Sequence, residues 1–178
     1  MAQRIILVTG GARSGKSSYA ETRARELGQR LLYVATAEAR DDEMTQRIAE
    51  HKKRRGNQWT TIEEPMELAD ALLAQAGNFD CALIDCLTLW ISNLFTRRDE
   101  EYAAQKVTEL LKILPQLDFP IVFVTNEVGW GIVPDNPLGR KFRDLLGWTN
   151  QGVAQAADEV ILMAAGIPMI VKSVEPCS

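Results

Sequence analysis

Two hydrophobic patterns alternate along the chain, and together they predict its elements. Short apolar runs rich in β-branched residues are typical of buried strands, whereas longer stretches with apolar residues three or four positions apart are typical of helices. The short runs predict strands at Ile5–Thr9, Leu31–Thr36, Cys81–Asp85, Ile121–Thr125, Val160–Ala164 and Met169–Lys172. The longer stretches predict helices at Lys16–Leu27, Asp42–Arg54, Pro65–Ala76, Leu87–Phe95, Glu100–Leu114 and Leu138–Ala156, the last of them interrupted near Gly147. This alternation indicates an α/β fold with a mostly parallel sheet flanked by helices.

The composition narrows the class of protein. With 178 residues, 46% of them hydrophobic and 25% charged, the chain matches an ordinary globular protein, and we expect one domain spanning residues 1–178. The formal charge of −4 gives no overall attraction to nucleic acid or to an anionic membrane, so neither is expected as a partner. The N-terminus lacks a signal-peptide pattern and no apolar run reaches the roughly 18 residues of a membrane span, so a cytoplasmic protein is expected.

A glycine-rich segment, Gly10–Ser17, follows the first predicted strand and opens the first predicted helix. It satisfies the pattern G-x-x-x-x-G-K-[ST], in which backbone N–H groups and a helix N-terminus surround phosphate oxygens. Lys16 is expected to contact the β and γ phosphates, and the Ser17 hydroxyl is expected to bind Mg²⁺. The residues predicted to bind nucleotide here are Gly10, Gly11, Ala12, Arg13, Ser14, Gly15, Lys16 and Ser17. The alternative is a glycine-rich turn that only caps a helix.

An aspartate at the end of another predicted strand is a second candidate for the metal site. Enzymes with such a loop need a carboxylate at the end of a neighbouring strand to hold the water shell of the metal. Asp85 ends the predicted strand Cys81–Asp85 and is the best candidate. Alternatively, Asp85 caps the helix that starts near Cys86, and the two roles can coexist.

The single histidine, His51, lies in a segment that begins acidic and ends basic. At helical spacing Arg47, His51 and Arg55 stack along one face. Guanidinium groups on both sides favour the neutral imidazole, which is a nucleophile, and the surrounding cations could neutralise the phosphates of a nucleotide. Two alternatives stay open: a solvated helix face with an incidental histidine, and a nucleic-acid patch, which the net charge and the absence of interleaved aromatic residues weaken.

Four segments carry a resemblance to a known family: Val8–Ser17, then Tyr33–Thr36 with Asp42–Met44 and Arg47–Ile48, then His51 with its basic tail, and Val124–Pro134. The run Thr-Asn-Glu-Val-Gly-Trp-Gly-Ile-Val-Pro in the last segment is more specific than the glycine-rich loop. From Ile6 to about Lys172 the sequence is similar to the bifunctional adenosylcobinamide kinase/adenosylcobinamide-phosphate guanylyltransferases of cobalamin biosynthesis.

The resemblance implies a P-loop NTPase fold related to recombinase-type ATPase cores, and two reactions at overlapping sites. ATP or GTP phosphorylates the aminopropanol hydroxyl of adenosylcobinamide, and GTP then transfers GMP to the resulting adenosylcobinamide phosphate. In that family the second reaction passes through a guanylylated histidine followed by a basic tail, and His51 matches this histidine. The resemblance also implies a homo-oligomer, with a trimer as the expectation.

Further site residues follow from the same resemblance. The implied nucleotide contacts outside the glycine-rich loop are Thr36, Ala37, Glu38, Lys52, Lys53, Arg54, Arg55, Glu63 and Asp85. Mg²⁺ is the implied cofactor, and Ser17 and Asp85 are its expected protein ligands. The segment Asn126–Arg140, in which Trp130 is available to stack on a large planar ligand, is a candidate edge of the corrinoid site.

Two other functions remain in competition. A monofunctional P-loop small-molecule kinase would use His51 only to bind phosphate. A nucleotide-dependent switch is disfavoured because the chain has no Asn-Lys-x-Asp sequence for reading guanine. Thr125-Asn126-Glu127-Val128 occupies the strand end where such a sequence would be sought.

Overall fold

The computed structural model describes residues 4–38 and 58–174. The strands are β1 (Ile5–Gly10), β2 (Leu31–Ala35), β3 (Trp59–Glu63), β4 (Cys81–Asp85), β5 (Ile121–Val124), β6 (Glu159–Ala164) and β7 (Ile167–Lys172). The helices are α1 (Lys16–Leu27), α2 (Leu68–Leu73), α3 (Leu87–Arg97), α4 (Glu100–Ile113) and α5 (Pro137–Ala156), with a short 3₁₀ turn at Leu114–Gln116. The predicted helix Asp42–Arg54 lies outside the described residues. None of the described helices combines the length and the apolar character needed to cross a bilayer.

The strands of the described residues form one sheet in the order β3-β2-β4-β5-β1-β6-β7. Neighbours from β3 to β6 run parallel, and β7 runs antiparallel to β6. Because parallel strands end at the same edge of a sheet, the segments that follow β1, β2, β4 and β5 converge there. The predicted α/β class with a mostly parallel sheet is confirmed.

Both faces of the sheet are covered, which explains the continuous apolar runs in the sequence. α1 packs on one face, over a core that includes Ile6 and Val8. Helices α2 to α5 cover the other face, over a core that includes Leu7, Trp90 and Phe123. Alternate residues of β1 therefore belong to opposite cores, as the two-residue period of a strand requires.

The sequence pattern does not predict β3, and the burial of this strand explains the omission. β3 lies at the edge of the sheet beside β2, and all of its residues are half-buried or exposed. An edge strand of this kind needs no continuous apolar run, so it produces none of the signal used to find the other strands. The register of β3 with β2 places Glu63 beside Ala35, at the edge where the parallel strands end.

Two predicted helices differ from the structure. Pro65–Ala76 shortens at both ends to α2. At its start, the Glu64 carboxylate accepts hydrogen bonds from the N–H groups of Met66 (2.9 Å) and Glu67 (2.7 Å) and holds a turn there. The predicted interruption near Gly147 is wrong, because α5 is continuous through this glycine. One glycine lowers helix stability by roughly 1 kcal/mol, which the packing of a long helix against a core outweighs.

Candidate functional site

The glycine-rich loop between β1 and α1 has a backbone shape that depends on glycine. Gly10 and Gly15 have φ angles of 144° and 94°, and Arg13 between them has a φ angle of 56°. At Gly10 an added Cβ atom would lie 2.4 Å from the carbonyl oxygen of Met163 in β6. Any other residue at position 10 would have to shift this backbone, so glycine is required for the close approach of the loop to β6.

Two neighbouring segments fix the position of the glycine-rich loop. The N–H of Gly166, in the turn between β6 and β7, donates to the Ser14 carbonyl oxygen at 3.0 Å. The N–H of Glu127, just after β5, donates to the Gly10 carbonyl oxygen at 3.1 Å. Because these contacts join segments far apart in the chain, sequence reasoning did not find them. They give the loop its shape before a ligand binds.

Lys16 is buried at the start of α1, with 7% of its surface exposed. Its ammonium group donates to the carbonyl oxygen of Gly11 and to the Ser14 hydroxyl, the latter at 3.4 Å. Ser17 follows in the first turn and is half-buried. No side chain among the described residues caps the helix at Gly15. Uncapped N–H groups beside a lysine form an arrangement suited to binding phosphate.

Asp85 is the last residue of β4, at the same edge of the sheet as the glycine-rich loop. β5 lies between β4 and β1, so one strand separates the aspartate from the loop. The Tyr33 hydroxyl of β2 donates to the Asp85 carboxylate at 3.0 Å, and the peptide bond between Asp85 and Cys86 is cis. The alternative role as a helix cap is not seen, since Cys86 is the N-cap of α3 and no described side chain caps it. Tyr33, which the sequence did not single out as a site residue, orients this carboxylate.

The residues that follow β2 lie beside the end of β4, because these strands are paired. Thr36 is fully buried, and its hydroxyl donates to the Cys86 carbonyl oxygen (2.7 Å) and accepts from the Cys86 N–H (2.8 Å). Ala37 and Glu38 are half-buried, and Glu38 forms an ion pair with Arg97 at the end of α3. The Thr36 hydroxyl therefore holds the segment after β4 in place, while the next two residues lie nearer the surface.

A network of hydroxyl and amide groups supports the end of β5. The Thr125 hydroxyl donates to the Asn150 side chain of α5 at 2.8 Å. The Asn126 N–H donates to the Thr88 hydroxyl of α3 at 2.8 Å, and the Asn126 carbonyl oxygen accepts from the Asn150 side chain at 3.3 Å. The backbone of Asn126 is thus fixed from two helices. Sequence reasoning missed this network, because polar residues inside helices follow no periodic pattern that marks them.

His51 lies outside the described residues, and so do the basic residues predicted to bind nucleotide beside it. These are Lys52, Lys53, Arg54 and Arg55. The roles assigned to them from the sequence stay predictions.

The oxygen atoms of Ser17 and Asp85 fit Mg²⁺ by their chemistry. Hydroxyl and carboxylate oxygens are hard ligands, and Mg²⁺ is usually held by one or two protein groups together with substrate phosphates. Within residues 4–38 and 58–174, no cluster of three or more His, Cys, Asp or Glu side chains could hold a metal. These donors therefore suit a metal that binds together with a nucleotide.

The fold and the loop define the class of protein: a P-loop NTPase, with the glycine-rich loop after β1 and an aspartate at the end of β4. Solved structures agree with this fold. The KaiC-like protein PH0186 from Pyrococcus horikoshii OT3 is similar with a TM-score of 0.55 and 17% identity, over 97% of this chain and 80% of that one. A second solved structure, that of an ATPase domain, is similar with a TM-score of 0.54 and 10% identity, over 96% of this chain and 77% of that one.

Within this class, the chain belongs to the cobinamide kinase/cobinamide phosphate guanyltransferase family, whose sequence model matches residues 6–171. The chain is 45% identical to the bifunctional adenosylcobalamin biosynthesis protein CobP of Pseudomonas aeruginosa, over 93% of this chain and 96% of that protein. It is 41% and 38% identical to the bifunctional adenosylcobalamin biosynthesis proteins CobU of Salmonella typhimurium and Escherichia coli, in each case over 94% of this chain and 99% of the relative. The family resemblance seen in the sequence is confirmed, and with it the assignment to the bifunctional transferases.

Proposed function

We propose that this chain phosphorylates adenosylcobinamide with ATP or GTP and then transfers GMP from GTP to adenosylcobinamide phosphate. The product is adenosylcobinamide-GDP, formed during assembly of the nucleotide loop of cobalamin. The observation that carries the proposal is the match, over nearly the whole length, to relatives named as bifunctional. One domain of residues 1–178 performs both reactions in the cytoplasm, where both triphosphates are available.

In the kinase reaction the glycine-rich loop holds the triphosphate. Loop N–H groups and the start of α1 donate to phosphate oxygens, and Lys16 exchanges the Gly11 carbonyl for the β and γ phosphates. The aminopropanol hydroxyl oxygen attacks the γ phosphorus in line and releases its proton, while the bond to the bridging oxygen breaks and the nucleoside diphosphate leaves. The proposed nucleotide contacts at the neighbouring strand ends are Thr36, Ala37, Glu38, Glu63 and Asp85.

Ser17 and Asp85 are the proposed Mg²⁺ residues. When bound, the metal neutralises charge on the transferring phosphoryl group. The Ser17 hydroxyl would bind the metal, and Asp85, oriented by the Tyr33 hydroxyl, would hold its water shell.

In the second reaction His51 is the proposed nucleophile. An imidazole nitrogen attacks the α phosphorus of GTP, a P–N bond forms and pyrophosphate leaves. A phosphate oxygen of adenosylcobinamide phosphate then attacks the same phosphorus, and the P–N bond breaks to regenerate the imidazole. The residues proposed to neutralise phosphate charge during this transfer are Lys52, Lys53, Arg54 and Arg55.

A homo-oligomer, with a trimer as the expected form, is part of the same proposal. β7 forms an outer edge of the sheet in the described part of the chain, and it is exposed along its whole length. Ile167, Ile170 and Val171 are 66%, 63% and 64% exposed. Exposed apolar edge strands are normally covered in native proteins, and this supports the proposal. Light scattering after size-exclusion chromatography measures the mass, and a monomer at all concentrations would contradict an oligomer.

GTP labelled in the α phosphate tests the guanylyl transfer. We expect an acid-labile adduct that maps to His51 and is absent from His51→Ala. As an internal control, His51→Ala should still phosphorylate adenosylcobinamide from triphosphate labelled in the γ position. An active kinase without an adduct would instead favour a monofunctional kinase, and an adduct that persists in His51→Ala would contradict His51 as the nucleophile. Triphosphate hydrolysis that is the same with and without the corrinoid would contradict the kinase reaction itself.

A further inference from the structure

Residues 128–138, which follow β5 and end in the first turn of α5, form an exposed segment that we call the apolar loop. Four of its side chains lie mostly in solvent: Trp130 (77% exposed), Ile132 (97%), Val133 (59%) and Leu138 (62%). The sequence Val-Gly-Trp-Gly-Ile-Val-Pro that begins this loop contains no charged residue. Single exposed apolar residues are ordinary, but several in one short segment indicate a surface for a ligand or partner.

Polar contacts hold the backbone of the apolar loop while its apolar side chains face solvent. At its start, the Glu127 carboxylate accepts from the Gly129 N–H at 2.6 Å. At its end, the Arg140 guanidinium donates to the carbonyl oxygens of Pro134 (3.0 Å) and Asp135 (2.8 Å). A surface ordered in this way loses less conformational entropy when it binds.

The apolar loop begins at the candidate phosphate site. Glu127, the residue just before it, donates its N–H to the carbonyl oxygen of Gly10 in the glycine-rich loop. In-line phosphoryl transfer requires the acceptor to approach the terminal phosphate from the side opposite the leaving group. The body of a large acceptor must therefore rest on surface next to the glycine-rich loop, and the apolar loop is such a surface.

A depression of about 510 Å³ adjoins the apolar loop. Leu138 belongs to the apolar loop and also lines the depression, and Phe95 is a second apolar side chain in the lining of the depression. The other lining residues are all charged: Arg98, Asp99, Glu100, Glu101 and Lys141. Its volume lies within the range of roughly 300–1,000 Å³ that is typical of small-molecule sites. The depression thus combines apolar contact area with groups that form hydrogen bonds.

We propose that the apolar loop and the adjoining depression bind the corrin macrocycle of the cobinamide acceptor, with Trp130 stacked on the ring. The inference rests on the proposed function, from which the acceptor is taken. A corrin is a broad and largely apolar ring system with amide groups around its edge. It therefore requires apolar and aromatic contact area together with peripheral hydrogen-bonding groups, and this surface offers both.

β7 is a second exposed apolar region that adjoins the glycine-rich loop, and its exposed backbone groups suit a different partner. The turn before β7 contacts Ser14 through the Gly166 N–H. However, β7 presents a strand edge, whose backbone N–H and C=O groups pair with another polypeptide strand. A corrin has no such backbone to offer. The apolar loop, which has no strand in it, is the better match for a ring.

Trp130→Ala tests the inference, with Trp148→Ala as its matched control. Trp148 lies on α5 and is 62% exposed, so each variant removes an exposed indole and leaves the core intact. Equilibrium dialysis followed by visible absorbance measures cobinamide binding, and steady-state kinetics gives the KM values for cobinamide and ATP. We expect Trp130→Ala to weaken cobinamide binding and raise its KM about tenfold, as the loss of one stacked aromatic does, with the KM for ATP unchanged. Ile132→Asn should also raise the KM for cobinamide and leave the KM for ATP unchanged, with a smaller rise than that of Trp130→Ala.

Equal cobinamide binding by Trp130→Ala and Trp148→Ala would overturn the inference. A change in oligomeric state or in binding to phospholipid vesicles, with an unchanged KM for cobinamide, would also overturn it and assign the loop to a second copy or to a membrane. A wild-type protein that neither binds nor phosphorylates cobinamide would remove the proposed function as well. A wild-type protein that does both, together with unaffected loop variants, would remove this inference and leave the proposed function standing.

Discussion

The amino ends and the carboxyl ends of the parallel strands form two opposite edges of the sheet, and the charged side chains at these two edges have different contacts. At the amino edge, where the parallel strands begin, carboxylates are engaged by neighbouring chain segments. Asp80 accepts hydrogen bonds from the backbone N–H (2.9 Å) and the guanidinium (2.7 Å) of Arg30. Glu159 is buried at the start of β6 and forms ion pairs with Arg4 and Arg23. These contacts join separate segments of the fold.

At the carboxyl edge, two charged groups of the candidate site contact uncharged ones, although Glu38 at the same edge forms an ion pair with Arg97. Lys16 donates to a carbonyl and a hydroxyl of its own loop, and Asp85 accepts from the Tyr33 hydroxyl. Contacts of this kind with neutral groups can be exchanged for contacts with a ligand of opposite charge. We therefore expect the ion pairs at the amino edge to contribute to stability, and Lys16 and Asp85 at the carboxyl edge to contact ligands.

Replacing Lys16 with alanine is the strongest test of this division. We expect kinase kcat/KM and triphosphate affinity to fall by at least about 100-fold, because the cation nearest the transferring phosphate is removed. We expect little change in Tm, since the contacts of Lys16 with Gly11 and Ser14 lie within one loop. Lys112→Ala, an exposed lysine of α4, is the control and should change neither quantity. A large fall in the Tm of Lys16→Ala would contradict the division between the two edges.

Removing the Tyr33–Asp85 hydrogen bond at the carboxyl edge should lower kinase activity less than Lys16→Ala does. Tyr33→Phe should lower kinase activity about tenfold and raise the Mg²⁺ concentration needed for half-maximal nucleotide binding, because the carboxylate loses its orienting partner. Tyr102→Phe is the matched control, since the Tyr102 hydroxyl also donates to a carboxylate, that of Glu67 at the N-cap of α2, and not to Asp85. Titration of nucleotide binding with Mg²⁺ measures the effect. Identical Mg²⁺ dependence in the two variants would show that Tyr33 does not position Asp85.

Gly10 is the point at which the carboxyl edge also contributes to stability. Gly10→Ala should lower the free energy of unfolding by roughly 1–3 kcal/mol, because its Cβ would collide with the Met163 carbonyl at a positive φ. Gly147→Ala, in the interior of α5 with open space around it, should instead raise this free energy by roughly 0.5–1 kcal/mol. Urea unfolding measures both changes. A Gly10→Ala protein as stable as the wild type would mean that the loop does not depend on its close approach to β6.

Asp80 tests the amino edge and should produce the smallest effect. Hydrogen bonds from the Arg30 backbone, the Arg30 guanidinium and the Gln29 backbone hold the pKa of Asp80 at about 2, below its usual range. Because this pKa is lower than the unfolded value of about 3.9, the stabilisation is complete above that value and is lost as the pH falls through about 2. Asp80→Asn should therefore lower the Tm at neutral pH, and its difference from the wild type should shrink in acid. Kinase activity should not change. A difference in Tm that is independent of pH would contradict this account.

The sequence predicts those parts of the molecule that depend on neighbours in the chain. The buried strands on either side of α1 are found because both faces of the sheet are covered and the apolar runs are continuous. The glycine-rich loop is found because its shape depends on local residues, Gly10 and Gly15 above all. β3 is missed because it is an exposed edge strand. The start of α2 is missed because one side chain, Glu64, accepts hydrogen bonds from two backbone N–H groups and the helix begins after them.

The parts of the candidate site that the sequence could not predict depend on strand order. Tyr33 meets Asp85 because β2 and β4 are neighbours, although many residues separate them in the chain. Gly166 reaches Ser14 because β6 lies beside β1. No local sequence pattern indicates the order of the strands. The sequence around a residue that contacts a neighbouring strand therefore does not indicate its role. The predicted roles of His51 and its neighbours stay predictions that the labelling experiment can test.

The contact between Gly166 and Ser14 has a consequence for control of the enzyme. The hairpin that contains this turn also provides the outermost strand of the sheet, so a molecule bound on β7 and a triphosphate on the glycine-rich loop would share one rigid element. By thermodynamic linkage any such effect is reciprocal. If a contact on β7 changes the affinity for triphosphate, bound triphosphate changes the affinity of that contact by the same factor. If an assembly joined through β7 changed this affinity, nucleotide affinity would vary with protein concentration, and dilution would change the activity of the same chain.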